Sequence, residues 1–521
     1  MKDYTRTKNS LLNILTGITG QLLNIILKFV CRTVFINTLG ASYLGINGLF
    51  SDVLSMLSLA ELGFDTAICF RLYKPISQKN ERKVRDYIVF FRNVYRIVGA
   101  VIFVLGLLFI PFIKFFIKDY DSLATLGINA SFIFVLFLFQ NVSSYLFFAY
   151  KSIIFKVNQK QYVSDVANFF VTILSTVLQI IVLYVLKDYI AYIITVTTFV
   201  IIQNFVNAKL ATRLFPQYFK GKRGVLTRTE KFDIFKDCSA LFVYKINNVV
   251  MKATDNLVLS AFVGLAIVGL YSNYVMFFVA ISGVLNTLFR AVKASMGNLF
   301  VSDNISKKYF FFEVMNIVTI LLYGTAGVGV AIVSNELIEI WLGPKYILPQ
   351  PIPILIGAEL LVTGLKLNLA QIRHVSGIFR QMWFRPVIGS IINVVTSIIL
   401  VQYLGVSGVI IGTLLAAVFA NLIVDPVVIH KYSFKGYKPV LYYYKKNILF
   451  VVVVIAVGAF DYEVCRLFLT GHGIVSFVAH SVICALSVLI MFSLIFYSRS
   501  EYQYIIIKLK EIVKQRMAFG K

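Results

Sequence analysis

The sequence predicts an all-α, polytopic membrane protein of about fourteen transmembrane helices, built as two pseudo-symmetric six-helix lobes plus two C-terminal helices. Three observations predict it. Of 521 residues, 59% are hydrophobic and only 14% are charged, whereas a soluble domain carries about half and about a quarter. With a mean hydropathy of +0.82, the polar surface is too small to cover the apolar surface in water, so lipid must cover the rest. The apolar residues fall in runs of about 20, the length that crosses a hydrocarbon core of about 30 Å. Finally, the segments between the runs alternate between rich and poor in Lys and Arg.

In chain order the first six runs are residues 10–36, 43–70, 87–113, 122–149, 162–186 and 189–211. The next six are 239–263, 268–293, 309–334, 351–372, 383–402 and 405–429, and the last two are 447–466 and 474–497. The stretch from Leu11 to Ile36 is long enough to span and lacks a small-residue cleavage site, so it is expected to stay as the first helix. The second and tenth runs are the weakest, because each contains acidic residues. With the N-terminus inside, thirty-eight of the fifty Lys and Arg residues fall in inner segments or at the inner ends of runs, Arg373 and Arg385 among them, five in outer loops or at an outer run end, and seven deeper within runs. Inner loops carry the excess of basic residues, and one missing or spurious helix would invert every later loop. Both termini are therefore expected in the cytoplasm, with the chain in the cytoplasmic membrane.

Residues 1–212 are expected to form the first lobe and 239–430 the second, joined by a basic cytoplasmic linker at 213–238. Residues 431–498 add two helices. In the tail, 499–521, Ile505, Ile506, Leu509, Ile512 and Val513 oppose Lys508, Lys510, Lys514 and Arg516. That pattern predicts a basic amphipathic helix on the inner leaflet, with an ordinary packed helix as the alternative. An internal repeat supports the two lobes. LGASYLG at 39–45 aligns with VGLAIVG at 263–269, Gly40 on Gly264 and Gly45 on Gly269, an offset of 224. At the same offset Lys28 falls on Lys252, Asn24 on Asn248 and Gln21 on Lys245. An even number of crossings separates the copies, so the repeat axis runs along the membrane normal.

Charged and amide residues inside the runs are the candidate site, since a charge at the bilayer centre costs roughly 2.5–3.5 kcal/mol on insertion scales. Lys245, Asn248, Lys252 and Asp255 are spaced 3, 4 and 3 apart and share one helical face. Gln21, Asn24, Lys28 and Arg32 share another, Glu359, Thr363 and Lys366 a third, and Asp52, Ser55, Glu61 and Asp65 lie in the second run. These faces are expected to line one polar cavity. Simpler readings exist for several residues. Arg32, near the outer end, can snorkel; Lys252 and Asp255 can neutralise each other; Glu61 and Asp65 can pair with loop cations. Arg92 and Arg96 fit plain inner-side cations.

Other chemistry is excluded. A charge of +26 would suggest nucleic acid in a soluble protein, but no basic–aromatic surface on a polar domain accompanies it. Cys31, Cys69, Cys238, Cys465 and Cys484 form no CxxC pair and are expected to pack as small apolar residues. The four histidines, His374, His430, His472 and His480, lie in distant segments, and no HExxH, Walker A or GxSxG motif occurs. Neither an enzyme, nor a cofactor, nor a metal site is expected.

TVFINTLGASYLGINGLFSDVLSMLSLAELGFDTAICFRLYKPI (33–76), ATDNLVLSAFVGLAIVGLYSNY (253–274) and IEIWLGPKY (338–346) resemble elements of the Wzx-like polysaccharide flippases, through about residue 430. That family belongs to the superfamily of MATE drug exporters and the lipid II flippase MurJ. The resemblance implies two six-helix lobes in a V, often with two extra helices. The implied activity is transfer of an undecaprenyl-pyrophosphate-linked oligosaccharide to the outer leaflet, for surface polysaccharide synthesis, by alternating access. The family's cationic cavity maps onto Lys28, Arg32, Lys245 and Lys252, with Asp255 and Lys366 beside them and Gln21, Asn24, Asp52, Asn248 and Glu359 as polar support. Relatives favour arginine where this chain has lysine, which binds phosphate without a bidentate fork. Coupling to H+ or Na+, and association with a polymerase and glycosyltransferases, fit this reading. The alternatives are a lipid II flippase, a MATE-like cation exporter, whose cavity would be acidic and aromatic, and a membrane glycosyltransferase or polymerase, which would carry a large domain with paired acids.

Overall fold

A computed structural model describes residues 2–58, 64–118, 120, 121, 123, 128–221, 225–301, 304–378, 380–382, 384–468 and 473–519. For 2–11, 14, 15, 18, 66, 237, 239–252, 288, 290–301, 380, 509 and 512–519 within that set, only the backbone is described. Among the described residues the fold is all helical, with no strand. The first part comprises α1 (Lys2–Thr38), α2 (Ala41–Leu57), α3 (Phe64–Ser77), α4 (Glu81–Phe109), α5 (Ala130–Leu146), the short α6 (Ile153–Val157), α7 (Gln161–Val185), α8 (Tyr189–Leu214) and α9 (Arg228–Phe262). There follow α10 (Leu265–Val301), α11 (Ile305–Leu342), α12 (Pro351–Ser376), α13 (Phe384–Leu404), α14 (Val406–Ala417), α15 (Val424–Tyr432), α16 (Val440–Phe468), α17 (Ile474–Phe496) and α18 (Ser500–Phe519).

Side-chain caps place many of the helix starts. Asn80, Asn129, Asp188 and Asn304 each accept a backbone N–H of the first turn, and Thr227 with Glu230 closes a reciprocal capping box on α9. Two breaks depend on glycine. Gly40, between α1 and α2, has φ 91°, and Gly264, between α9 and α10, has φ 117°, a region that side chains with a Cβ avoid.

Every predicted run holds helix among the described residues. Eleven described helices are long and apolar enough to cross a membrane, or twelve if the bent pair Ala130–Leu146 and Ala149–Val157, angled by 49°, is one span. The bend follows Phe148, which adopts a left-handed φ of 62°. The predicted single run 43–70 contains two helices, because α2 ends at Leu57, where the Ser58 hydroxyl turns back onto the Leu54 carbonyl at 2.7 Å. The run 405–429 is α14, a π-helical segment Val418–Ile423 and α15.

The chain packs as two units, Met1–Gly269 and Leu270–Lys521. In the first, α1 lies along α7, α7 along α8, α4 along α5 and α2 along α9. In the second, α11 lies along α12 and α17, and α13 along α14. Its core includes Ile317, Ile320, Leu361, Phe450, Val454, Phe492 and Phe496. Gly327 and Gly357 let α11 and α12 cross closely: a Cβ on Gly357 would sit 2.3 Å from the Gly327 carbonyl oxygen. Large apolar side chains such as Phe170, Leu174, Tyr184 and Val185 remain exposed, as lipid-facing helices require. The start of the tail helix is packed rather than free. Glu501 is buried on Lys446, and Ile505 and Ile506 lie against the core of the second unit.

Candidate functional site

Charges placed in apolar helices survive where they have partners or face a polar cavity. On α1, Lys28 and Asn24 are exposed, while Gln21 and Arg32 are half-buried. No carboxylate among the described residues lies within ion-pair distance of Lys28. Arg32 stands beside Tyr192 of α8, and its neighbour Cys31 donates its thiol to Gln179 at 3.3 Å. The face therefore divides: Lys28 is presented outward, whereas Arg32 is engaged within the unit.

On α9, Asp255 is half-buried. The side chains of Lys245, Asn248 and Lys252 lie outside the described residues, although the helix runs unbroken through their positions, as a shared face requires. Asp52 of α2 accepts the Asn256 amide at 2.5 Å, so the Thr-Asp-Asn element reaches α2 through its asparagine. Glu61 lies outside the described residues. Asp65 pairs with Lys156 at 2.8 Å, the loop-cation pairing foreseen for it. Glu359 and Lys366, both half-buried on α12, belong to the second unit, and neither is without a partner.

A polar cleft of about 340 Å³ opens between α1 and α7, lined among others by Gln21, Asn24, Asp165, Asn168 and Thr172. Behind it, Asn207 donates to Asn168 at 2.7 Å and Ser164 donates to Asn207 at 2.9 Å. Sequence reading named only the α1 side of this cleft. Asp165 falls at the start of an apolar run, where a carboxylate reads as a boundary.

The second unit holds polar clusters that sequence reading assigned elsewhere. Arg373 and Arg385 counted as inner-loop cations; both are buried on Asp425, at 2.8 and 3.4 Å. Lys446 is buried between Glu313 at 3.2 Å and Glu501 at 2.7 Å. His480 meets Glu336 at 2.5 Å. Burial acts to raise the Glu501 carboxyl, but hydrogen bonds from Glu313 and Lys446 outweigh it and hold the group down at about 2. At Glu230 the Lys83 ammonium, 2.6 Å away, holds the carboxyl below its usual range. Among the described residues no group of three His, Cys, Asp or Glu side chains could hold a metal ion.

In fold the chain is similar to a structure described as the lipid II flippase MurJ in an inward closed conformation. The TM-score is 0.64 at 16% identity, over 93% of this chain and 99% of that one. It is also similar to a multidrug resistance MATE transporter of the MOP superfamily. For the inward-facing form the TM-score is 0.59 at 13% identity, over 82% of this chain and 100% of that one. For the outward-facing form it is 0.52 at 13%, over 83% and 97%. At such identities the likeness is one of fold alone. No curated relative matches the chain. The family model for polysaccharide biosynthesis proteins matches residues 10–293, more than half of the chain. That match takes in both α1 and α9, the helices whose polar faces the repeat relates, and by it the chain belongs to the polysaccharide biosynthesis protein family.

Proposed function

We propose that this protein is a flippase that carries an undecaprenyl-pyrophosphate-linked oligosaccharide from the inner to the outer leaflet of the cytoplasmic membrane, by alternating access, with both termini in the cytoplasm. The observation that carries the reading is Lys28, an exposed cation on a membrane-crossing helix of a family named for polysaccharide synthesis. A pyrophosphate is polyanionic and needs cations along a low-dielectric path, while its polyprenyl tail stays in lipid. Lys28, with Lys252 at the equivalent place in the repeat, supplies point charges for it; Arg32, Lys245 and Asp255 are assigned to the same path. Outward movement of an anion runs with an inside-negative potential, worth about 2.3 kcal/mol per charge per 100 mV.

Lipid II is the second reading, favoured by the fold likeness to MurJ over nearly the whole chain. One experiment separates the two: delete the protein and analyse the polyprenyl-linked glycolipids that accumulate. A lipid-linked oligosaccharide repeat unit supports the proposal. Accumulation of lipid II instead, or no accumulation of either, overturns it.

A further inference from the structure

We propose that the cleft between α1 and α7 is a saccharide-binding subsite, in which Gln21 and Asn24 face Asp165 and Asn168 across a space that takes one sugar ring. The inference rests on the flippase reading and adds to it the place where the carbohydrate, rather than the pyrophosphate, is held.

The lining has the chemistry that a polyol needs. A sugar hydroxyl is both donor and acceptor, so it pairs best with amides, which offer both, and with carboxylates, which accept twice. The cleft carries Gln21 and Asn24 on one wall and Asp165 and Asn168 on the other, with the Phe169 ring available for the apolar C–H face of a sugar. Its volume of about 340 Å³ is at the small end of the range for ligand pockets, in keeping with one ring rather than a whole oligosaccharide. The far wall is held from behind. Asn168 Oδ1 accepts from Asn207, which is itself fixed by buried Ser164, and the Asn168 amide also donates to Ser164 at 3.4 Å, while Gln161 donates to Asp165 Oδ1 at 3.0 Å. Side chains locked in this way keep their remaining polar atoms in place for a ligand.

The α1 wall adds an independent observation. Gly17 and Gly20 both line the cleft, and glycine disfavours a helix interior. Their own packing does not require them, because a Cβ at either position would meet nothing within 4 Å. What the two glycines leave is open space in the cleft. Asn24 stands four residues before Lys28, one helical turn or about 6 Å along the axis. A sugar beside Asn24 therefore directs its linking phosphate toward an exposed lysine.

The test uses the full-length protein in nanodiscs and two probes: undecaprenyl pyrophosphate, and the polyprenyl-linked oligosaccharide extracted from cells lacking the protein. Gly20→Leu puts a side chain into the cleft from a position whose Cβ meets nothing within 4 Å, and its melting temperature and membrane abundance report whether it folds; Asp165→Asn removes a carboxylate acceptor. Each is expected to weaken the glycolipid roughly tenfold or more and to leave undecaprenyl pyrophosphate unchanged. Unchanged glycolipid affinity in both variants, or equal weakening of both probes, overturns the subsite. If the wild-type protein binds neither probe, the flippase reading falls, and the subsite with it.

Discussion

Gly45 and Gly269 are each pressed against the other's helix: a Cβ on Gly45 would lie 2.0 Å from the Leu265 carbonyl oxygen, and a Cβ on Gly269 would lie 2.0 Å from the Ala41 carbonyl oxygen. The contact is its own mirror under the repeat, since 41 and 265, and 45 and 269, differ by 224. The helix ends obey the same offset, α1 and α9 ending at Thr38 and Phe262, α2 and α10 starting at Ala41 and Leu265. Symmetry at the level of sequence thus reappears as a reciprocal backbone contact between the starts of α2 and α10.

From this contact we predict non-additivity. Gly45→Ala or Gly269→Ala must push the two helix starts apart, and each is expected to cost about 1–3 kcal/mol by overpacking. Once the first methyl has opened the contact, the second meets less resistance, so the double variant should cost clearly less than the sum. Thermal unfolding of the four purified proteins measures the cycle. Strict additivity would show that the two glycines do not share one contact.

What could be read from the sequence, and what could not, follows from the range of the signals. Run length and the glycines at 40 and 264 are local, so the helices and the break between α1 and α2 were legible. The repeat was legible because two copies of one pattern can be compared directly. Partners distant along the chain were not. Asp52 and Asn256 lie 204 residues apart, His480 and Glu336 144, and Arg373 and Asp425 52. A charge at the end of an apolar run looks the same whether it faces water or a buried partner, so Arg373 and Arg385 read as loop cations. The α1–α7 cleft was half legible, since its amides on α1 stood beside Lys28 while Asp165 passed for a run boundary.

Asp425 is 1% exposed and sits between two guanidiniums from α12 and α13. Asp425→Asn leaves two buried cations without their carboxylate. Breaking a buried ion pair from one side costs about 3–5 kcal/mol, and the loss should appear as a large fall in melting temperature or in membrane abundance. Asp425→Glu should retain much of the stability. A neutral Asp425→Asn would mean that the two arginines reach water or another anion.

Glu501 ties α18 to α16 through Lys446. Its carboxyl is held at about 2 against an ordinary 4.5, so it is more acidic in the folded protein. A depressed carboxylate contributes stability that is fully present above the ordinary value and is lost as pH falls toward the depressed one. The melting-temperature gap between wild type and Glu501→Gln should therefore narrow as pH falls below about 4.5. A gap that widens on acidification would contradict the assignment.

The last prediction concerns Lys28 and its repeat mate Lys252. If Lys28 holds a pyrophosphate in transit, Lys28→Glu places an anion where an anion must pass. At about 4 Å and an effective dielectric of about 20, repulsion is on the order of 4 kcal/mol, enough to stop surface polysaccharide production. Lys28→Arg keeps the charge and should keep much of the activity, since point-charge attraction does not depend on a particular donor geometry. Lys28→Ala should be intermediate, because Lys252 remains, and the pair Lys28→Ala with Lys252→Ala should fall below either alone. At Lys252 a rival role is neutralisation of Asp255, three residues along the same helix. That role predicts rescue: Lys252→Ala combined with Asp255→Ala would recover activity that each single change loses, whereas a substrate cation predicts no recovery. Complementation of a deletion strain, read as surface polysaccharide per unit of protein in the membrane, measures all of these variants. Full activity of a normally expressed Lys28→Glu variant removes Lys28 from the substrate path and, with it, the observation on which the cationic mechanism stands.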